Sequence, residues 1–170
     1  MQQKVVLITG VSSGIGEATV RAMARAGYRV FGGARSPEKA PVTPGIELIE
    51  LDVRKEEQVL SGVQEILERA GRIDIVINNA GISLIGPVEA TSTSEAQTLF
   101  DTNVFGVLNV SRAILPSMRR QQSGLIINIS SVLGFLPAPF MGLYATAASM
   151  PSKVYQLRHS HNLLAPLSDL

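Results

Sequence analysis

The sequence contains no cysteine, which excludes disulfides and thiolate metal sites without fixing the compartment. Histidine occurs only at His159 and His161, so no zinc or other metal site is expected. Charge of one sign is lacking too: 15 basic and 14 acidic residues leave a net charge of +1. There is no basic stripe to hold nucleic acid and no acidic tail to act as a partner arm. No internal repeat, low-complexity run or second-domain boundary stands out. The first apolar run, Val5-Val6-Leu7-Ile8, is too short for a signal peptide. Residues 121–152 carry no charged side chain, yet Gly124, Asn128, Ser130, Ser131, Gly134, Pro137, Pro139 and Gly142 interrupt them. A membrane span needs about 20 mostly apolar residues in succession, so this stretch reads as a buried strand followed by an apolar loop. What remains is a 170-residue chain, 45% hydrophobic, expected to be one soluble, cytoplasmic domain with a real core.

Against those absences stands one informative stretch, Thr9-Gly10-Val11-Ser12-Ser13-Gly14-Ile15-Gly16. It follows the apolar run and opens a segment with Ile15, Ala18, Thr19, Ala22, Met23 and Ala26 at helical spacing. The order is strand, glycine-rich turn, helix, which lifts a glycine motif above coincidence. Gly10 permits a tight turn, Gly14 leaves room for a pyrophosphate and Gly16 lets the helix approach the strand. Backbone N–H groups from Ser12 to Gly16, with the helix dipole, attract phosphate.

The rest of the chain repeats the alternation. Strands are expected over 4–9, 29–33, 46–51, 74–77 and 125–130, with helices from Gly14 to near Gly27, around Val59–Ala70 and over 94–121. Gly71 should stop the second helix and Pro116 should kink the third. Strands alternating with helices imply parallel βαβ units in a doubly wound, Rossmann-type α/β/α fold. Ligands in such sheets bind beyond the carboxyl ends of the strands, and Thr9, Arg35, Asp52, Asn79 and Ser131 lie at those ends.

One acid is missing where an NAD site usually carries it. The end of the second strand reads Gly33-Ala34-Arg35-Ser36, and a guanidinium there suits a 2′-phosphate. NADP(H) is therefore favoured, with NAD(H) the alternative; the plainer reading of Arg35 is a solvated loop residue. Asp52, with Val53 beside it, either caps the following helix or meets the adenine edge, and both can hold. Asn79-Ala80-Gly81 reads as a turn that floors the cofactor. Ser131 and Tyr144 stand 13 positions apart in an uncharged setting.

With Thr9-Gly10-x-x-x-Gly14-x-Gly16, Asp52, Asn78-Asn79-Ala80-Gly81, Asn103, Ser131 and Tyr144 in this order, residues 4–144 resemble the short-chain dehydrogenase/reductase family. The resemblance implies hydride transfer between an alcohol and a ketone or aldehyde, with NADP(H) carrying the hydride. It implies that Tyr144 gives or takes the alcohol proton, that Ser131 bonds the substrate oxygen, and that Asn103 supports a water relay and bends its helix. A free phenol titrates near pH ~10, so it needs a nearby cation. The family supplies a lysine four residues after the tyrosine; here Ala148 stands there. Lys153 is nine residues on, and Pro151 intervenes. The resemblance also implies a homo-oligomer through the helix over 102–118, a surface shared with the next helix, which is disrupted here.

Residues 1–146 thus form the nucleotide-binding unit, and 147–170 are a divergent tail. Residues 147–154, Ala-Ala-Ser-Met-Pro-Ser-Lys-Val, can in another reading frame encode Ser-Lys-His-Ala-Val-Glu-Gly, beginning with the missing lysine. The tail is read as frame-shifted translation ending early, the alternative being natural divergence. Without the family's last strands, the fifth strand is expected to show an open apolar edge, which invites aggregation. Residues 133–141 face either a lipophilic substrate or their own loop packing. Three functions follow: an alcohol/ketone oxidoreductase, a non-catalytic nucleotide- or partner-binding protein, or an inactive product.

Overall fold

The computed structural model describes residues 3–41, 44–136 and 138–150, and the backbone of 155–157 and 165–166. Pro151, Lys153, His159 and His161 lie outside the described residues. Five parallel strands run β1 (Val5–Thr9), β2 (Arg29–Ala34), β3 (Ile46–Glu50), β4 (Ile75–Asn78) and β5 (Gly124–Asn128). Their spatial order is β3-β2-β1-β4-β5. The apolar runs of β1 and β2 fit strands covered on both faces. One layer packs Leu7, Phe31, Ile49 and Val76 against α2 (Glu56–Ala70) and α4 (Gly106–Gln121), through Val59, Val63, Ile66, Val110 and Ile114. The other packs Val6, Ile8, Val30 and Ile77 against Val20 of α1 (Gly14–Arg25). The doubly wound α/β/α architecture follows.

Register matters for the site. Thr9 pairs with Gly33, Ala34 with Glu50 and Ile8 with Ile77, so the carboxyl ends of β1, β2, β3 and β4 finish nearly level. The chain winds outward from β1 through β2 to β3, then crosses back to β4. The switch point lies between β1 and β4, where such sheets open a crevice.

Three expectations need correction. The apolar loop after β5 contains α5 (Gly142–Ser149), which carries Tyr144. The helical stretch 94–121 divides into α3 (Thr93–Phe100), a π-helical turn (Asp101–Phe105) and α4. Helical structure continues through Pro116, and at the π turn the Gly106 N–H reaches back to the Asp101 carbonyl. Finally, the edge of β5 is not fully open. A short antiparallel strand, β6 (Tyr155–Leu157), pairs over Gly124–Ile126, and β7 (Ala165–Pro166) follows it. Gly27 and Gly71 take left-handed conformations at the ends of α1 and α2, as their positions led one to expect.

Candidate functional site

A cleft of about 330 Å³ opens at the switch point. Its floor is the β1–α1 turn. Gly10 has φ +71°, and a Cβ on Gly16 would lie 2.2 Å from the Gly10 carbonyl oxygen and 2.5 Å from Asn79 Nδ2. The turn is therefore closed around bare backbone. Asn79 Nδ2 donates to the carbonyls of Thr9 and Gly10, both at 3.0 Å, and fixes the turn to the end of β4. Thr9 is buried; its Oγ1 accepts from the N–H groups of Asn79 (3.1 Å) and Ala80 (3.0 Å). Thr9 thus shapes the cradle from beneath, whereas Gly10, Ser12, Ser13, Ile15, Gly16, Ala80 and Gly81 line it. Gly14 stands exposed in this turn.

At the start of α1, Ser13 makes no side-chain cap. The first N–H groups of a helix have no intrahelical acceptors. By contrast, α3 is closed by its own capping box, in which Ser92 and Glu95 bond each other's backbone N–H. The α1 turn thus presents donors and the positive helix end to the cleft, an arrangement suited to a phosphate-bearing ligand.

The outer wall comes from β2 and β3. Arg35 is exposed, lines the cleft and makes no hydrogen bond or ion pair with the described residues. Asp52 is 6% exposed and wholly engaged by Arg54. Arg54 Nε donates to Oδ1 at 2.9 Å, its Nη2 to Oδ2 at 2.6 Å, and its own N–H to Oδ1 at 3.1 Å. These bonds hold the Asp52 carboxyl below the usual carboxylate range, burial opposing them and the Arg35 charge assisting. Val53 is buried; its carbonyl accepts from Asn109 Nδ2 at 3.0 Å, and its side chain meets the α4 start at Gly106. Arg54 escaped the sequence reading. Its signal was local: an aspartate at a strand end whose side chain takes the N–H two residues on forms an Asx turn.

A second cavity, about 220 Å³, adjoins the cleft and shares Ile15, Asn79, Ala80, Gly81 and Ile82 with it. Tyr144 lines this cavity, with Ser130, Ala147 and Ala148. Tyr144 and Ala148 are one helical turn apart and face the same space, so the position where a lysine was expected is geometrically intact. Among the described residues lining this cavity, none carries a positive charge. Ser131 does not line it; its Oγ accepts from Leu133 N–H at 3.2 Å and caps a short helical turn. Ser130 Oγ donates to the Ala148 carbonyl at 2.6 Å and ties the end of β5 to α5. Asn103, within the π turn, bonds the Ile82 backbone in both directions, accepting from N–H at 2.9 Å and donating to the carbonyl at 2.8 Å. Its amide thereby positions the wall that both cavities share. Among the described residues no group of acidic or histidine side chains is placed to hold a metal, and no helix is long and apolar enough to cross a membrane.

Comparison with known proteins agrees with this geometry. The family model for short chain dehydrogenases matches residues 4–150. A 3-ketodihydrosphingosine reductase of Bacteroides thetaiotaomicron is 37% identical over 147 residues, covering 86% of this chain and 54% of the relative. Among solved structures, a short-chain dehydrogenase from Streptomyces avermitilis superposes with a TM-score of 0.82 at 38% identity, over 88% of this chain and 57% of that one. A gluconate 5-dehydrogenase from Burkholderia cenocepacia, in complex with NADP and tartrate, gives 0.82 at 32% identity, over 88% and 62%. A 3-ketoacyl-(acyl-carrier-protein) reductase from Brucella melitensis, complexed with NADH, gives 0.81 at 28% identity, over 86% and 64%. The chain spans about half the length of the curated relatives it matches.

Proposed function

The chain belongs to the short-chain dehydrogenase family, and on that premise we propose that it binds NADP(H) and descends from an oxidoreductase of alcohols and ketones. The observation that carries this reading is the wall that the two cavities share. The glycine cradle and Arg35 line one cavity and Tyr144 the other, with Ile15, Asn79, Ala80, Gly81 and Ile82 lining both. The uncapped α1 turn would hold the pyrophosphate, and Arg35 a 2′-phosphate, in the absence of any acid at the end of β2. NADH remains a weaker ligand of the same cleft. When bound, the nicotinamide supplies the hydride chemistry. Tyr144 holds or takes the proton at the substrate oxygen, and Ser131 supports that oxygen once its hydroxyl turns from Leu133. The apolar segment with Phe135, Leu136 and Phe140, all largely exposed and preceding the helix that carries Tyr144, would suit a lipophilic ketone. The 3-ketodihydrosphingosine reductase among the relatives acts on a substrate of that character by its name.

Ala148 defines the limit of the reading. Among the described residues lining the cavity none supplies the cation that such a general acid–base would use. We propose that residues from Ala147 onward are frame-shifted, which accounts for an intact cavity wall carrying alanine where the family carries lysine. Sequencing the coding DNA around Thr146 decides this: codons that cannot yield Ser-Lys-His-Ala-Val-Glu-Gly in another frame overturn it.

The functional test joins binding to rescue. NADPH fluorescence should rise and saturate on addition of the chain, while turnover on a panel of ketones should stay at or near background. Ala148→Lys should raise turnover by about 10²-fold, the low end of general acid–base catalysis. Failure to bind NADPH overturns the proposed function. Binding with unchanged turnover in the lysine variant favours a nucleotide-binding protein without catalysis.

A further inference from the structure

We propose that Arg54 determines recognition of the adenine: pinned by Asp52, its guanidinium forms a platform for the adenine face, while Arg35 takes the charged phosphate. This rests on the nucleotide reading above and adds a residue to it. Placement comes first. The phosphate cradle follows β1, and β2 and β3 lie successively outward from it. Neighbouring strands are about 4.8 Å apart, so the end of β3 stands about 10 Å from the cradle, the separation that a ribose and a base must bridge. Arg54 lines the cleft at that end.

Charge separates the two arginines. Arg35 makes no hydrogen bond or ion pair with the described residues, and Asp52 reaches it only through space. Arg54 is ion-paired with Asp52 and also feels the Asp101 charge, so two negative charges act on it. A dianionic phosphate beside Arg54 would meet both of them. A neutral aromatic ring would not, and a guanidinium plane stacks well on such a ring.

Preorganisation is the third element. Two side-chain donors of Arg54 and its own N–H converge on one buried carboxylate, which fixes the guanidinium before any ligand arrives. The side chain nevertheless keeps 36% of its surface exposed. Nη1 makes no hydrogen bond with the described residues. A long side chain held rigid yet exposed at a cavity wall loses little freedom on binding.

The test is a set of binding titrations with NADPH, NADH and ADP on the whole chain and three variants. Arg54→Ala should weaken all three ligands by about tenfold, leaving the NADPH-to-NADH ratio unchanged. Arg54→Lys should weaken them similarly, because it keeps the charge and the pairing with Asp52 but not the plane. It also guards against a variant that fails to fold, since the ion pair survives. Arg35→Gln should weaken NADPH alone. If lysine restores full affinity, Arg54 merely holds Asp52 and the proposal falls. If Arg54→Ala weakens NADPH but not NADH or ADP, Arg54 is a phosphate ligand and the proposal falls as well. Unchanged affinities in Arg54→Ala overturn this inference alone; absence of nucleotide binding by the unaltered chain overturns the proposed function together with it.

Discussion

Gly16 is the residue on which the cradle closes. A methyl group there would sit 2.2 Å from the Gly10 carbonyl oxygen and 2.5 Å from Asn79 Nδ2, far inside contact distance. Neither neighbour is a flexible side-chain end free to swing away. One is backbone, and the other is held by bonds to Thr9 and Gly10. Gly16→Ala must therefore push α1 off the sheet or break the Asn79 staple. Overpacking of this kind costs about 1–3 kcal/mol. We expect a melting temperature lower by about 2–12 °C and NADPH binding weaker by at least about tenfold. Calorimetric melting and NADPH titration check both, and a variant with unchanged binding would show that the cradle does not need this closure. The glycine spacing already announced a close approach. It did not announce that the object approached is an asparagine amide from β4, because that partner is 63 positions away in the chain. Thr9 is the same lesson in reverse: a motif residue whose hydroxyl is buried under the turn it seems to line.

Among the elements, β3 is the most exposed to disturbance, since it ends the sheet. It is tied at both ends by carboxylates. Near its start, Glu47 pairs with Arg29 of β2 and Arg69 of α2, and both guanidinium groups lie over Phe31, at 5.1 and 5.3 Å from the ring centre. Just past its end, Asp52 pairs with Arg54. The hydrogen bond from Arg29, with further help from the Arg69 charge, lowers the Glu47 carboxyl, and Arg54 lowers that of Asp52. A carboxyl whose value is lower in the folded chain than in the unfolded one stabilises fully above the unfolded value. That contribution fades as pH falls through the folded value. The melting temperature should hold steady from neutrality to about pH 5 and decline below about pH 4. Amide exchange in β3 should accelerate before that in β1. A melting temperature unchanged between pH 5 and pH 3 would count against these ties.

The same scale shows what was legible in the sequence. Strand β1 was readable because burial on both faces writes a continuous apolar run, whereas the edge strand β3 keeps glutamates among its apolar residues. The element α5 was not readable, because Gly-Leu-Tyr-Ala-Thr-Ala-Ala-Ser carries neither a charged face nor a clear apolar stripe. The π turn was not legible from apolar spacing, although the resemblance led one to expect a bend at Asn103, which lies within it. Its extra residue leaves the apolar spacing of α4 intact, and Pro116 offered a more conspicuous place for distortion. The capping box at Ser92-Thr93-Ser94-Glu95 could have placed the start of α3 one position earlier than expected.

At the scale of the whole molecule, the chain carries more uncovered apolar surface than its core requires. Ile85 and Val88, on the loop after β4, are 72% and 62% exposed, and across from them Phe135, Leu136 and Phe140 are 74%, 68% and 63% exposed. The two groups meet, because Gly86 N–H donates to the Phe140 carbonyl at 2.9 Å and Gly142 lies against Val88. They form an exposed apolar lip outside the lining of the Tyr144 cavity. Contiguous patches of this kind, beyond a few hundred Å², commonly drive association. The edge of β5 adds to the tendency, since among the described residues its pairing with β6 spans three positions, Gly124 to Ile126. Relatives are about twice as long, so in them further polypeptide is available to cover such surfaces. We expect the 170-residue chain to associate with rising concentration, to bind a hydrophobic dye and to melt broadly. Replacing Phe135 and Leu136 together by serine should reduce association and dye binding while leaving NADPH affinity within about twofold, because neither residue lines the nucleotide cleft. Light scattering across a concentration series, with dye fluorescence alongside, provides the measurement. A monomer that melts sharply and binds no dye would mean that the apolar lip and the short β6 suffice to close the molecule by themselves.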